Sequence, residues 1–379
     1  MKKKILILVD WFAPGYKAGG PIQSCINIAF LLKKNFEIYV LTTDTDLGED
    51  KPYPGIVSNQ WINNLDPDIN VYYAGAKTLS VQQIRIEMER IAPDFVYLNH
   101  LFSPKFVLYP LWLKYRRMIS AKVVLCPRGA LYQSALAIKS YKKKPFIKTF
   151  RLLGIHRLIR FHATNEREKN VILKFFPNSE VYIADNLPNA KQPAFESCVK
   201  IPGLLRCIYV SRILPIKNLL YLIEVLRKLK AEVALTVIGP LEDKEYSKRC
   251  EEAAKTLPSN ISVHWLGPKP NHELIRFIQQ HHLFVLPTEG ENFGHSIFES
   301  FLAGRPVLIS DQTPWLSLEE KKAGWDLSLA NPNGFANALE KMASFNQQEF
   351  DTWAKASWDY ANAFIQKPDL YSKYLQLFS

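Results

Sequence analysis

Two glutamates eight residues apart, Glu291 and Glu299, bracket the segment Asn292-Phe293-Gly294-His295, which follows one apolar run and opens an amphipathic one. A strand-to-helix turn of this kind presents the unbonded N–H groups of a first helical turn. Their partial positive charge suits a diphosphate. Gly294 has no side chain, so a ligand can approach the backbone there. Eight positions are slightly more than two helical turns, and both carboxylates can therefore face one site. Carboxylates beside a phosphate need neutral partners, and sugar or ribose hydroxyls supply them. A plainer reading stays open, with Glu291 favouring the helix start electrostatically and Glu299 a solvated helix charge.

Other constellations also sit where a strand ends. In Ser211-Arg212-Ile213-Leu214-Pro215-Ile216-Lys217-Asn218 a guanidinium fork and an ammonium stand close together. They suit a diphosphate leaving group, or are simply solvated loop charges. Gly19 and Gly20 lie between the first strand and the first helix, as a close-approach loop or only a flexible turn. His100 closes a strand, where it can donate to a substrate oxygen, move a proton, or merely pack. Arg128 also follows a strand, either to position an anionic acceptor or to stabilise its own loop. There is neither a G-x-G-x-x-G nor a Walker motif. His295 and Glu299 are spaced i, i+4, but two ligands make no site and H-E-x-x-H is absent, so no metal is expected.

The elements that must position these residues alternate. Strands are expected at 5–9, 36–42, 70–74, 95–98, 122–125, 160–163 and 181–183, and again at 206–210, 233–238, 261–265, 283–286 and 307–309. Most are continuous apolar runs, as in strands buried on both faces. Helices are expected at 22–33 and 81–91, from about Asn218, from about Gly294, and in an aromatic-rich tail from about Gln347. Strand–helix alternation implies parallel sheets. The chain reads as two doubly wound α/β domains facing across a cleft, at 1–187 and 203–358. Residues 188–202 are expected as the linker, with a helix over about 360–379 packing back on the first domain.

A chain of 379 residues exceeds what one core usually holds, and 47% hydrophobic against 22% charged residues is a globular balance. No apolar run nears the ~20 residues that span a bilayer. The apolar run after Lys2-Lys3-Lys4 stops at Asp10, too short for an export signal, so a cytoplasmic chain is expected. Five widely spaced cysteines without C-x-x-C support neither a disulfide framework nor a zinc site. The net charge is +12, and the excess lies in the first half: residues 95–165 hold 14 Lys and Arg and no acid. This is a basic, soluble surface or a face for an anionic membrane, a lipid-linked phosphate or a nucleic acid. No nucleic-acid module pattern appears.

The combination Ser211-Arg212-x-x-Pro215-x-Lys217-Asn218, then Glu291-x7-Glu299 enclosing Phe293-Gly294, then Ala303-Gly304-Arg305-Pro306-Val307, resembles the retaining glycosyltransferases of family 4. The resemblance extends over nearly the whole chain. It implies a GT-B fold and a metal-independent transfer of sugar from a nucleotide-diphosphate sugar, UDP- or GDP-linked, with no other cofactor. The acceptor it implies is a glycan or lipid-linked glycan of cell-surface polysaccharide or lipopolysaccharide. By the resemblance Arg212 and Lys217 hold the diphosphate, Glu299 takes ribose hydroxyls, and Glu291 takes sugar hydroxyls. The segment Asn292, Phe293, Gly294 and His295 lines the donor site, His100 reaches the donor sugar, and Gly19 and Gly20 lie near phosphates or acceptor. Arg128, Lys142, Lys143 and Lys144, with Lys139 and Lys148, are the expected acceptor or inner-leaflet contacts. Three departures stand out: Asn292 where Gly is frequent, His295 where an apolar residue is usual, and a reduced Pro188-Asn189-Ala190. A nucleotide-sugar epimerase of similar fold and a non-catalytic nucleotide-sugar binder are the alternatives.

Overall fold

The structure, a computed structural model, describes residues 2–75, 78–137, 140–187 and 193–379. The chain divides into two compact units, Met1–Leu187 with Pro368–Ser379, and Pro188–Lys367.

Unit 1 begins with β1 (Lys3–Leu8), α1 (Gly20–Leu32), β2 (Phe36–Thr43), β3 (Trp61–Asp66), β4 (Ile69–Ala74), α2 (Val81–Ile91) and β5 (Phe95–Asn99). A π-helical turn over Pro104–Leu108 leads into α3 (Tyr109–Tyr115). Then come β6 (Lys122–Cys126), α4 (Gln133–Ala137), α5 (Ser140–Leu152), β7 (Arg160–Ala163), α6 (Glu166–Phe175) and β8 (Glu180–Ile183). The eight-stranded sheet runs β3-β4-β2-β1-β5-β6-β7-β8. Its strands are parallel except β3, which is antiparallel to β4. Alternate residues of β1 feed two cores. Leu6 and Leu8 pack with Ile84 and Met88 of α2, while Ile5 and Ile7 pack with Ile28 and Leu32 of α1. This two-sided burial is why β1 reads as one unbroken apolar run.

Unit 2 continues with β9 (Leu204–Val210), α7 (Leu219–Leu226), β10 (Glu232–Ile238), α8 (Lys244–Lys255), β11 (Ile261–Gly267) and α9 (Asn271–Gln279). It ends with β12 (Leu283–Leu286), α10 (His295–Leu302), β13 (Val307–Ser310), β14 (Gly324–Leu327), α11 (Pro332–Ser344) and α12 (Gln347–Ile365). The six strands run β11-β10-β9-β12-β13-β14, and every pair is parallel.

Expectation and structure differ at several places. The edge strand β3 exposes Asn63 and Asn64 and carries no apolar run to announce it. The four-residue β14 starts on Gly324, which an added Cβ could not occupy because Val307 O would lie 2.0 Å away. Of the expected linker, residues 188–192, including Pro188, Asn189 and Ala190, lie outside the described residues. The rest is fastened to unit 2. Trp358 Nε1 donates to Pro193 O at 3.2 Å, Arg305 Nη1 to Glu196 O at 2.9 Å, and His282 Nε2 lies 2.9 Å from Val199 O. The expected terminal helix is two helices. The first, α12, stays in unit 2 because its Phe350, Trp353 and Ala361 are buried there. Only α13 (Leu370–Leu377), beyond Pro368, returns to unit 1, where Phe378 packs edge-on to Phe95 with ring centres 5.5 Å apart. No helix among the described residues is long and apolar enough to cross a membrane.

Each sheet has one place where strand order reverses. In unit 1 it is at β1, between β2 and β5; in unit 2 it is at β9, between β10 and β12. Ligands of open α/β sheets bind outside the carboxyl ends of the strands at such points.

Candidate active site

The residues following β9 and β12 meet at the reversal point of unit 2. A short 3-10 turn, Pro215–Lys217, is closed by Asn218 in the left-handed region at φ 58°. Ile216 O then accepts from Glu289 N at 2.8 Å and from Thr288 Oγ1 at 3.1 Å. These bonds clamp the two loops together. Lys217 Nζ consequently forms an ion pair with the Glu291 carboxylate, both side chains being mostly buried. Glu291 is itself held from behind, its backbone N donating to Gln312 O at 3.0 Å. Arg212 does not join this pair. Its Nη1 donates to Glu242 Oε2 at 2.8 Å, on the loop after β10. Each cation expected to meet a diphosphate therefore holds a carboxylate.

Gly294 starts α10 at φ 76° and ψ 72°, where an added Cβ would stand 2.7 Å from Ile297 Cδ1. Both the backbone angle and the close side chain demand glycine. Asn292 and His295 flank it, partly exposed. Phe293 turns its side chain inward. Its side chain is buried among Trp315, Phe298 and Phe364, with ring centres 5.1, 5.6 and 6.0 Å away. Its carbonyl accepts from Trp315 Nε1. Phe293 anchors the loop in the core, and that bond engages the carbonyl expected to line the donor site.

Glu299 lies one turn into α10 and is only 5% exposed. Asn271 Nδ2, at the start of α9, donates to Glu299 Oε1 at 2.7 Å. Burial pushes the Glu299 carboxyl up to about 7, against the Asn271 bond, which pulls it down. Among the described residues no group of three or more His, Cys, Asp or Glu is placed to hold a metal ion.

The remaining expected residues belong to unit 1. Gly19 caps α1 at φ 67° and ψ −125°, a conformation left almost wholly to glycine, and Gly20 is the first helical residue. His100 follows β5 at φ 78°; its N donates to Cys126 O at 2.9 Å and its Nδ1 accepts from Phe102 N at 3.2 Å. Its ring is thus oriented by its own loop. Arg128 departs from the expected acceptor contact. Its Nε donates to Asn99 Oδ1 at 2.8 Å, Nη2 to Tyr97 OH at 3.0 Å, and Nη1 to Asn186 Oδ1. All three nitrogens tie strand ends together, the loop-stabilising alternative. On α5, Lys142 and Lys144 are exposed, but Lys143 folds back, its Nζ 2.6 Å from Ala135 O and 5.2 Å from the Phe102 ring centre. It leaves the expected basic face. Lys139 lies outside the described residues.

Two residues of the candidate site were not singled out from sequence. Glu242 is an acid just after the Gly239-Pro240 turn, and Asn271 starts a helix after Pro270. Only their positions at element ends could have marked them.

Residues 199–349 match the family model of glycosyl transferases group 1. Over 134 residues the chain is 28% identical to D-inositol 3-phosphate glycosyltransferase of Corynebacterium urealyticum, covering 34% of this chain and 31% of that relative. The match thus spans less than a third of that relative's length. The fold is similar to sucrose-phosphate synthase from Thermosynechococcus elongatus, with a TM-score of 0.77 at 14% identity over 100% of this chain and 98% of that one. It is also similar to Anabaena Alr3699/HepE in complex with UDP and glucose, with a TM-score of 0.70 at 15% identity over 99% and 98% of the two chains. The chain therefore has the GT-B fold, and within its second unit residues 199–349 are similar to the glycosyl transferases group 1 model.

Proposed function

We propose that the chain is a retaining glycosyltransferase that moves a sugar from a UDP- or GDP-linked donor to a hydroxyl of a glycan or lipid-linked glycan, in cell-surface polysaccharide or lipopolysaccharide synthesis. The observation that carries this reading is the Lys217–Glu291 pair at the strand-order reversal of unit 2, beside the glycine-started helix α10.

A donor diphosphate displaces Glu291 from Lys217 and Glu242 from Arg212. Neither cation is left unpaired at any stage, so the exchange avoids stranding a poorly solvated charge. Glu291, once released, accepts from hydroxyls of the donor sugar, and Glu299 from those of the ribose. As the glycosidic bond lengthens toward an oxocarbenium-like state, negative charge grows on the leaving diphosphate. Arg212, Lys217 and the N–H groups that open α10 are already in place to stabilise it. The acceptor hydroxyl attacks from the leaving-group face, and the departing phosphate takes its proton. No glycosidase-type carboxylate nucleophile is required, and the side chains named here supply the positive charge without a metal.

The anomer formed settles the stereochemistry. Proton NMR of the product is expected to show the anomeric configuration of the donor, with rates unchanged by EDTA. An inverted anomer or loss of activity in EDTA contradicts the respective part.

On unit 1, exposed Lys142, Lys144 and Lys148 of α5 stand among exposed Tyr141 and Leu152. This mixture suits an anionic inner leaflet. Flotation with phosphatidylglycerol vesicles is expected to carry the chain up. Charge reversal of these three lysines is expected to abolish flotation, and undiminished binding rejects the membrane contact.

A further inference from the structure

A second group of side chains gathers at the strand-order reversal of unit 1. Asp10 follows β1, and its backbone O accepts from Thr42 Oγ1 at 3.2 Å and Thr43 N at 3.3 Å, which locks it against the end of β2. From the other flank, Ser103 Oγ donates to Asp10 Oδ1 at 2.8 Å. The same Ser103 Oγ accepts from Phe106 N at 3.2 Å, capping the π-helical turn that follows β5. Such turns are rare and recur at functional sites. Asn99 Nδ2 reaches Pro21 O at 3.4 Å, so the glycine-started helix α1 is tied to the same strand end.

The carboxyl is substantially desolvated, and burial raises its pKa despite the Ser103 bond and the positive field of Lys105. Among the described residues Asp10 Oδ1 has a neutral hydroxyl partner and no cation is bonded to the carboxyl. A carboxylate in such surroundings repels phosphate and strengthens a hydrogen bond from a neutral O–H. Nothing in the donor chemistry of unit 2 uses it.

We propose that Asp10 receives a hydroxyl of the acceptor glycan, with Ser103 as its positioning residue. The proposal rests on the glycosyltransferase reading and adds the residue of unit 1 that recognises a neutral sugar. An anionic head group would be repelled from this position, so the carboxylate selects the sugar part of a lipid-linked acceptor and not its phosphate.

The test measures glycoside binding without nucleotide, by saturation-transfer NMR and calorimetry. The probes are methyl and octyl glycosides of glucose, galactose, mannose and N-acetylglucosamine, and inorganic phosphate. The wild-type chain is expected to bind at least one glycoside and to ignore phosphate. Asp10→Asn keeps an acceptor for Ser103 but removes the charge. It is expected to weaken that glycoside about ten-fold or more, the size expected for losing a charge-assisted bond. Its melting temperature does not fall, because burial disfavours the charge that the substitution removes, its nucleotide-sugar binding stays as in the wild type, and Asp10→Glu recovers part of the affinity. Equal affinity in Asp10→Asn, binding of phosphate instead of glycosides, or no glycoside bound by the wild type overturns the proposal. Failure of nucleotide-sugar binding with glycoside binding intact overturns the donor reading and leaves this assignment standing.

Discussion

Asn271 Nδ2 donates to Glu299 Oε1 at 2.7 Å, joining the first residue of α9 to the carboxylate in the middle of α10. Burial holds that carboxyl at about 7, so it changes charge near neutrality. A ribose-binding carboxylate must be ionised to accept strongly. Donor affinity is therefore expected to rise between pH 6 and pH 8 and then level off. Asn271→Ala removes the bond that favours the charged form, and the inflection is expected to move to higher pH. Calorimetric titration across this range checks both statements; a profile that is flat, or unmoved in Asn271→Ala, contradicts them.

The same shift has a stability sign. An acid whose folded pKa lies above its ordinary value binds its proton more tightly when folded. The contribution of Glu299 to stability is complete below pH 4.5 and is lost progressively as pH rises through about 7. Glu299→Gln is expected to be more stable than wild type above pH 7, by on the order of 2–3 kcal/mol. Urea unfolding at pH 8 reads this directly, and a less stable variant contradicts it.

His281 and His282 titrate the opposite way. Both are buried beside Arg206 and Arg305, and burial lowers them to about 4 and about 3. Bases depressed in the folded state give stability that is complete above pH 6.5 and is lost as pH falls toward 4. His282 Nδ1 accepts from Arg206 N at 3.0 Å, so protonation there sets one N–H against another at β9, while Nε2 keeps its bond to Val199 O. In a Glu299→Gln background, which removes the opposing titration, the melting temperature is expected to fall between pH 6.5 and pH 4. His282→Asn is expected to flatten that slope; an unchanged slope contradicts the assignment.

Arg212 and Glu242 form a pair with both side chains a third exposed, 2.8 Å apart. Exposed pairs contribute at most about 1 kcal/mol. Glu242→Gln removes the competing carboxylate and is expected to tighten UDP or GDP binding up to about five-fold at low salt, with the gain shrinking as salt rises. Weaker binding in this variant contradicts the exchange of partners.

Trp315 donates through Nε1 to Phe293 O, and its ring lies 5.1 Å from that of Phe293. Trp315→Phe retains most of the packing and leaves a buried carbonyl without its partner, a cost of about 1–3 kcal/mol. Because the released carbonyl belongs to the loop preceding Gly294, donor affinity is expected to fall as well as stability. Unaltered affinity contradicts a positioning role.

Much of the fold was legible because most strands are buried on both faces, and two-sided burial writes itself as unbroken apolar runs such as residues 5–9 and 283–286. The strands that escaped, β3 and β14, gain their place from neighbours: β3 is a half-polar edge, and β14 starts on Gly324 and is interrupted by Asp326, so it carries no apolar run. The site followed the same division. Arg212, Lys217, Glu291, Gly294 and Glu299 stand out as candidates because charge and glycine at strand ends are local signals. The carboxylate partner of Arg212 was not legible, since Glu242 lies 30 residues away and only the parallel order β10-β9-β12 brings the two loops to one edge. The two readings of Arg128 stayed open for the same reason. A strand-end arginine looks alike in sequence whether it faces solvent or, as here, ties Asn99, Tyr97 and Asn186.

In the proposed function the reversal point of unit 2 holds a nucleotide-diphosphate sugar. The most direct measurement is calorimetric binding of UDP-, GDP-, ADP-, CMP- and dTDP-sugars without added metal, on wild type and on Glu299→Ala. One UDP- or GDP-linked donor is expected to bind selectively, and the substitution is expected to weaken it. Binding to none of them, or equal binding by the variant, would contradict it.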